Sequence, residues 1–83
     1  VLFVCTGNYY RSRCAEILFN HIATKNELPA RAISRGFRLN PAKNKGVLSP
    51  HATAWLPTLD IPLVNVGVPT ALTRDDLEAA THI

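Results

Sequence analysis

Val1 to Cys5 is an unbroken apolar run without alternation. Such a run fits a strand buried on both faces, as in a parallel sheet. Thr6-Gly7-Asn8 interrupts it with turn residues. From Ser12 the period changes: Cys14, Ile17, Leu18 and Ile22, with Ala15 and Phe19 beside them, recur at steps of three and four. The spacing predicts an amphipathic helix of about twelve residues, ending near Lys25-Asn26. After the connection Glu27-Leu28-Pro29, Ala30 to Ser34 reads as a second short strand that Gly36 ends. Strand, helix and strand in this order predict a parallel βαβ unit.

The pattern is looser beyond Gly36. Phe37 to Pro50 carries prolines, a glycine and two lysines and reads as a long loop. Pro50 to Leu59 reads as a short helix with Pro50 in its first turn, and Trp55 on it is expected in the core. Asp60 to Pro69 is ambiguous, because its aliphatic residues favour a strand while Pro62, Gly67 and Pro69 punctuate it. Thr73-Arg74-Asp75-Asp76 predicts a capped helix start with acids at the positive end of the dipole. Thr81-His82-Ile83 reads as the entry to a third buried strand. No repeat or linker divides the chain, so residues 1–83 are expected to form one domain. A chain without methionine that opens directly on one buried strand and stops at another is expected to be cut at both ends.

Composition changes this picture little. Apolar residues make up 47 % of the chain, as in an ordinary globular domain. The net charge of +3 favours anionic partners, but no basic run exceeds two residues, so no nucleic-acid arm is expected. Cys5 and Cys14 make no disulfide framework, and no metal-ligand spacing is present. His21, His51 and His82 lie far apart in sequence and are expected at the surface. No apolar stretch approaches the roughly 20 residues of a membrane span, and no signal-peptide pattern is visible. A soluble protein of the reducing cytoplasm is the expectation.

Candidate chemistry concentrates in Cys5-Thr6-Gly7-Asn8-Tyr9-Tyr10-Arg11-Ser12. A cysteine and an arginine bracket five residues between the carboxyl end of a strand and the amino end of a helix. Ligands of open α/β sheets bind there. A helix start offers unpaired N–H groups and partial positive charge, which bind phosphate and stabilise a thiolate. Arg11 offers a planar fork matched to phosphate oxygens. Gly7 permits a turn that aims successive N–H groups inward, and Ser12 can donate to the thiolate. The parts together can hold a phosphoryl group over a nucleophilic sulfur.

The segment VLFVCTGNYYRSRCAE resembles the phosphate loop of low-molecular-weight protein-tyrosine phosphatases. Weaker similarity continues through Ser34-Arg35-Gly36, Asn40-Pro41 and Leu72 to Leu77. The resemblance implies an α/β fold: a parallel open sheet with helices on both faces, Rossmann-like, of the phosphotyrosine phosphatase I type, incomplete at the C-terminal end. It implies Cys5 as nucleophile through a cysteinyl-phosphate, Arg11 as phosphate clamp and Ser12 as an aid to the leaving thiolate. The loop Thr6, Gly7, Asn8, Tyr9, Tyr10 and Arg11 would bind phosphate or a similar oxyanion. Asn8, with Ser34 among its partners, would hold the loop in shape, and Phe37 and Leu39 would wall the substrate slot. No cofactor is implied, and the implied partner is a phosphotyrosine-containing protein.

The chain also departs from the family pattern. Tyr10 stands where a second cysteine is frequent, and Cys14 reads as a core residue. Arg13 replaces a common proline and is expected to add to the positive field beside Cys5. Gly67 and Thr70 stand where a histidine and an arginine are usual, so part of the loop's buttress is expected to be missing. The family's acid lies in an Asp-Pro pair that does not occur here, and Asp60, Asp75 and Asp76 read as turn and helix-start residues. An aromatic Tyr9 favours stacking on phosphotyrosine, whereas a small hydroxyl residue there goes with phosphoarginine. Arsenate reductase, which shares the fold, is an alternative that lacks thiols here. A phosphate-binding module without turnover is another.

Overall fold

The computed structural model describes residues 1–83. Strand β1 (Leu2–Cys5) runs into helix α1 (Arg11–Lys25), which returns the chain to strand β2 (Ile33–Gly36). Helix α2 (Pro50–Trp55) continues into a 3-10 turn (Leu56–Leu59), and helix α3 (Arg74–Ala79) follows. The strands pair in parallel, Leu2 opposite Ile33 and Cys5 opposite Gly36. This is the βαβ unit that the order of apolar runs predicts. Ala71 extends the sheet beyond β2 by a single parallel bridge to Gly36.

The α1 stripe meets its partner as the periodicity requires. Cys14, Ile17 and Leu18 pack against Leu48, Ala52, Leu56 and Ile61, so α2 and its 3-10 turn cover one side of α1. Phe19 meets Phe3 of β1 edge-on, with ring centroids 6.0 Å apart. Ile22, at the end of the stripe, is exposed, and the wholly buried residues of α1 are Ser12, Arg13 and Ala23.

Several expectations are corrected. β2 begins at Ile33 rather than Ala30. The Ala32 N–H donates to Asn20 Oδ1 at 2.8 Å and its carbonyl accepts from Asn20 Nδ2 at 2.9 Å. An α1 side chain thus engages the backbone that a longer strand would need. Asp60 to Pro69 forms no strand: Pro62 and Pro69 lack donors, and Asp60, Asn65 and Gly67 turn through positive φ. Trp55 is exposed, because α2 turns Ala52 rather than Trp55 into the core. Thr81–Ile83 is not a buried strand. The expected strand entry does reach β1 at one point, the His82 carbonyl accepting from Leu2 N–H at 2.8 Å, and Ile83 is exposed. No helix is long and apolar enough to cross a membrane.

Candidate active site

The segment between β1 and α1 wraps around Asn8. Its φ of +48° places it in the left-handed region, where asparagine is among the few tolerated residues other than glycine. The side chain is buried and fully engaged. Nδ2 donates to Ser12 Oγ at 2.8 Å and to Ser34 Oγ at 2.9 Å, while Oδ1 accepts from Thr70 N–H at 2.7 Å. Ser34 in turn donates to Glu16 Oε1 at 2.9 Å. Because Ser12 Oγ accepts from Asn8, its own hydrogen is free for Cys5 Sγ, 3.0 Å away. One buried amide therefore aims a hydroxyl at the sulfur.

Electrostatics at Cys5 follow from this placement. Burial alone pushes the thiol up. The Ser12 hydroxyl, the backbone N–H groups of Ser12 and Asn8 and the Arg11 charge together outweigh it, and the thiol sits below its ordinary value. Arg11, exposed at the helix start, forms no ion pair within the chain. Cys14 shows the contrasting case: burial raises its thiol, and the Arg13 charge only partly opposes this.

A hollow of about 400 Å³ beside Cys5 is lined by Thr6, Arg11 and Ser12 and walled by Phe3 and Phe37. On the other side of the loop, Gly7, Tyr9, Tyr10 and Asn44 line a smaller hollow that also reaches Cys5 and Arg11. Neither contains a carboxylate. Gly36, at the end of β2, lies directly beneath the loop. A Cβ there would come within 2.8 Å of Asn8 N and 2.9 Å of Thr6 O.

A profile of the family described as low molecular weight phosphotyrosine protein phosphatase matches residues 1–80. The chain belongs to this family. It is 39 % identical over 80 residues to a protein-arginine-phosphatase of Bacillus subtilis (strain 168), covering 96 % of this chain and 50 % of that protein. The crystal structure of a low molecular weight protein tyrosine phosphatase from T. tengcongensis superposes with a TM-score of 0.82 at 30 % identity, covering 96 % of this chain and 52 % of that one. A structure of YwlE arginine phosphatase, a cysteine-to-serine mutant with a phosphorylated active site serine, gives 0.79 at 34 %, covering 96 % and 49 %. The chain thus spans about half the length of these relatives. Their fold is the α/β fold with a parallel sheet that the resemblance implies.

The remaining residues singled out for this phosphatase-family site fall in several places. Thr6 uses its carbonyl to accept from Arg38 N–H at 2.8 Å. The Tyr9 hydroxyl donates to the Lys45 carbonyl, strapping the Cys5–Ser12 loop to the loop that follows β2. Tyr10 is exposed and tilts against the His51 ring, centroids 5.7 Å apart. Phe37 walls the Cys5 hollow, but Leu39 does not: it lines a separate hollow with Gly7, Asn40 and Asn44. The Asp76 carboxylate accepts from Thr73 N–H and Arg35 Nε, and no Asp faces Cys5.

One expectation about the loop's surroundings is corrected. Arg13 does not face the anion site. It is 1 % exposed and donates to the carbonyls of Val47 at 2.8 Å, Val66 and Gly67. At Gly67 and Thr70, where the expected side-chain buttress is absent, the backbone supplies support, Thr70 its N–H to Asn8 and Gly67 its carbonyl to Arg13. Sequence reasoning singled out Arg13 but placed it at the anion site rather than in the interior. The available signal was a cation in the first turn of a helix, where the dipole disfavours it.

Proposed function

We propose that the protein is a phosphatase that hydrolyses phosphotyrosine in proteins through a cysteinyl-phosphate at Cys5. The observation that carries this reading is the Asn8–Ser12–Cys5 arrangement, in which a lowered thiol meets an aimed hydroxyl and two N–H groups. The Cys5 thiolate attacks phosphorus, an S–P bond forms and the ester P–O bond breaks, releasing the tyrosine as a phenolate that takes its proton from solvent. Arg11 and the loop N–H groups hold the equatorial oxygens as charge develops on them. Ser12 donates to the sulfur again when water attacks phosphorus, the S–P bond breaks and phosphate leaves. That the cysteine-to-serine mutant of YwlE arginine phosphatase carries a phosphorylated active site serine supports a covalent route. The chemistry requires a reduced thiol, which the cytoplasm maintains.

Substrate choice rests on Tyr9 and on the lining of the hollows. Phe3 and Phe37 in one hollow, and Tyr9 in the other, offer apolar and aromatic surface suited to a phenyl ring. Competing hydrolysis of phosphotyrosine and phosphoarginine peptides, by the parent and by Cys5→Ser, tests both parts. Turnover that survives Cys5→Ser refutes the covalent route. Preference for phosphoarginine refutes the substrate assignment.

A second reading, a module that binds phosphate without turnover, needs only the N–H groups of the loop and Arg11. Phosphate binding with no hydrolysis of any aryl phosphate, even one with an acidic leaving group, identifies it. Arsenate reduction has less support, because the second thiol, Cys14, packs against the α2 core.

A further inference from the structure

Arg13 is the largest wholly buried side chain of the molecule. All three acceptors that it meets are backbone carbonyls, those of Val47, Val66 and Gly67. Burying a cation without a bonded carboxylate costs free energy, and placing it in the first turn of α1 opposes the helix dipole. Burial pulls the guanidinium below its ordinary value, with Glu16 and Cys14 opposing, and it remains a cation at any working pH. A residue that breaks two stabilising rules at once points to a task other than stability.

The hydrogen bonds show the task. Each segment that Arg13 holds goes on to hold the phosphate loop. The segment at Val47 leads to Ser49, whose N–H donates to the Tyr9 carbonyl at 3.1 Å. The segment at Val66 and Gly67 leads to Thr70, whose N–H donates to Asn8 Oδ1 at 2.7 Å. Asn8 then bonds Ser12, the residue beside Arg13, so the second path closes into a ring. We propose that Arg13 is a positioning residue of the phosphate loop: it sets the two flanking segments at the height from which they fix Tyr9 and Asn8, and through Asn8 it aims the Ser12 hydroxyl at Cys5. The inference rests on the phosphatase reading for its purpose, but phosphate binding and thiol reactivity test it without turnover.

The experiment uses Arg13→Lys, Thr70→Pro and their double variant, all in a Cys14→Ser background so that Cys5 alone reacts. Lysine keeps the charge and the stem but cannot fork across three carbonyls. Proline deletes the one N–H that reaches Asn8. Two quantities are read: the inorganic phosphate Kd and the pH profile of Cys5 alkylation. Arg13→Lys is expected to weaken phosphate about fivefold or more, which is about 1 kcal/mol, and to move the alkylation inflection upward. Thr70→Pro is expected to do the same, and the double variant no more than the larger single change, because both cut one path. Parent-like phosphate affinity and inflection in Arg13→Lys overturn the proposal, whatever happens to its melting temperature. Fully additive effects overturn it as well. A parent that binds no phosphate overturns the phosphatase reading itself.

Discussion

Gly36→Ala tests how tightly the phosphate loop lies on the sheet. The added methyl would sit 2.8 Å from Asn8 N, 2.9 Å from Asn8 Cβ and 2.9 Å from Thr6 O. These are backbone and near-backbone atoms with no rotamer to change, so something must shift. β2 cannot easily recede, because Gly36 N–H donates to Thr70 O at 2.9 Å and Gly36 O accepts from Leu72 N–H at 2.9 Å. Phe37 N–H also holds the Cys5 carbonyl at 3.0 Å. The loop therefore moves, and Asn8 with it. Overpacking of this kind costs about 1–3 kcal/mol. A displacement near 1 Å at the reacting groups costs on the order of 100-fold in rate. Urea unfolding reads the first effect and aryl phosphate hydrolysis the second. Gly46→Ala is the control: its φ of +80° brings strain, yet beyond its chain neighbours no atom lies within 4 Å of the new methyl. It is expected to lose about 1 kcal/mol of stability with little change in rate. Parent-like turnover in Gly36→Ala, or equal rate losses in the two variants, refutes the close-contact argument.

Two further outcomes follow from groups already described. The lowered Cys5 thiol makes alkylation persist below the ordinary thiol range, and Ser12→Ala is expected to move its inflection upward. Since the folded value is depressed, the thiolate's contribution to stability is present above the unfolded value of about 8.5 and is lost as pH falls through the folded value. An inflection unmoved in Ser12→Ala contradicts the assigned hydrogen bond. At α3, Thr73→Ala removes a complete capping box and is expected to cost about 1 kcal/mol locally, read as faster hydrogen exchange at the Asp76 and Leu77 amides. Exchange as slow as in the parent counts against the cap.

Legibility in the sequence tracked the range of the forces involved. β1 and α1 were readable because an unbroken apolar run and a three-to-four spacing are local signals, and Thr73 to Asp76 because a capping box spans four residues. The start of β2 was not, since it depends on Asn20 engaging Ala32 from another element. Trp55 misled for the same reason: which face of α2 is buried depends on where α1 lies. At the site, the pattern around Cys5 placed the chemical groups in one loop. It could not show that the Asn8 carboxamide meets the N–H of Thr70, 62 residues away, or that Arg13 turns inward. Backbone donors carry no side-chain signature, so a buttress built from them has no motif.

The two clearest helix starts in this chain show what that concealed architecture accomplishes. At α3 the first turn is neutralised from within: Thr73 caps Asp76 N–H, the Asp76 carboxylate accepts from Thr73 N–H, and two acids sit at the positive end. At α1 the N-cap residue, Tyr10, makes no side-chain cap, and no acid occupies the first turn. The charges placed there are Arg11 and Arg13, both cations. Propensity and dipole arguments alone rank the α1 start as the worse design, yet α1 is the longest helix of the chain. What compensates lies in tertiary packing, with Leu48, Ala52 and Leu56 against its apolar stripe. Stability supplied from the side frees the helix end from capping itself. Its unpaired N–H groups and its positive field then remain available to the Cys5 thiolate and, in the function proposed above, to an oxyanion.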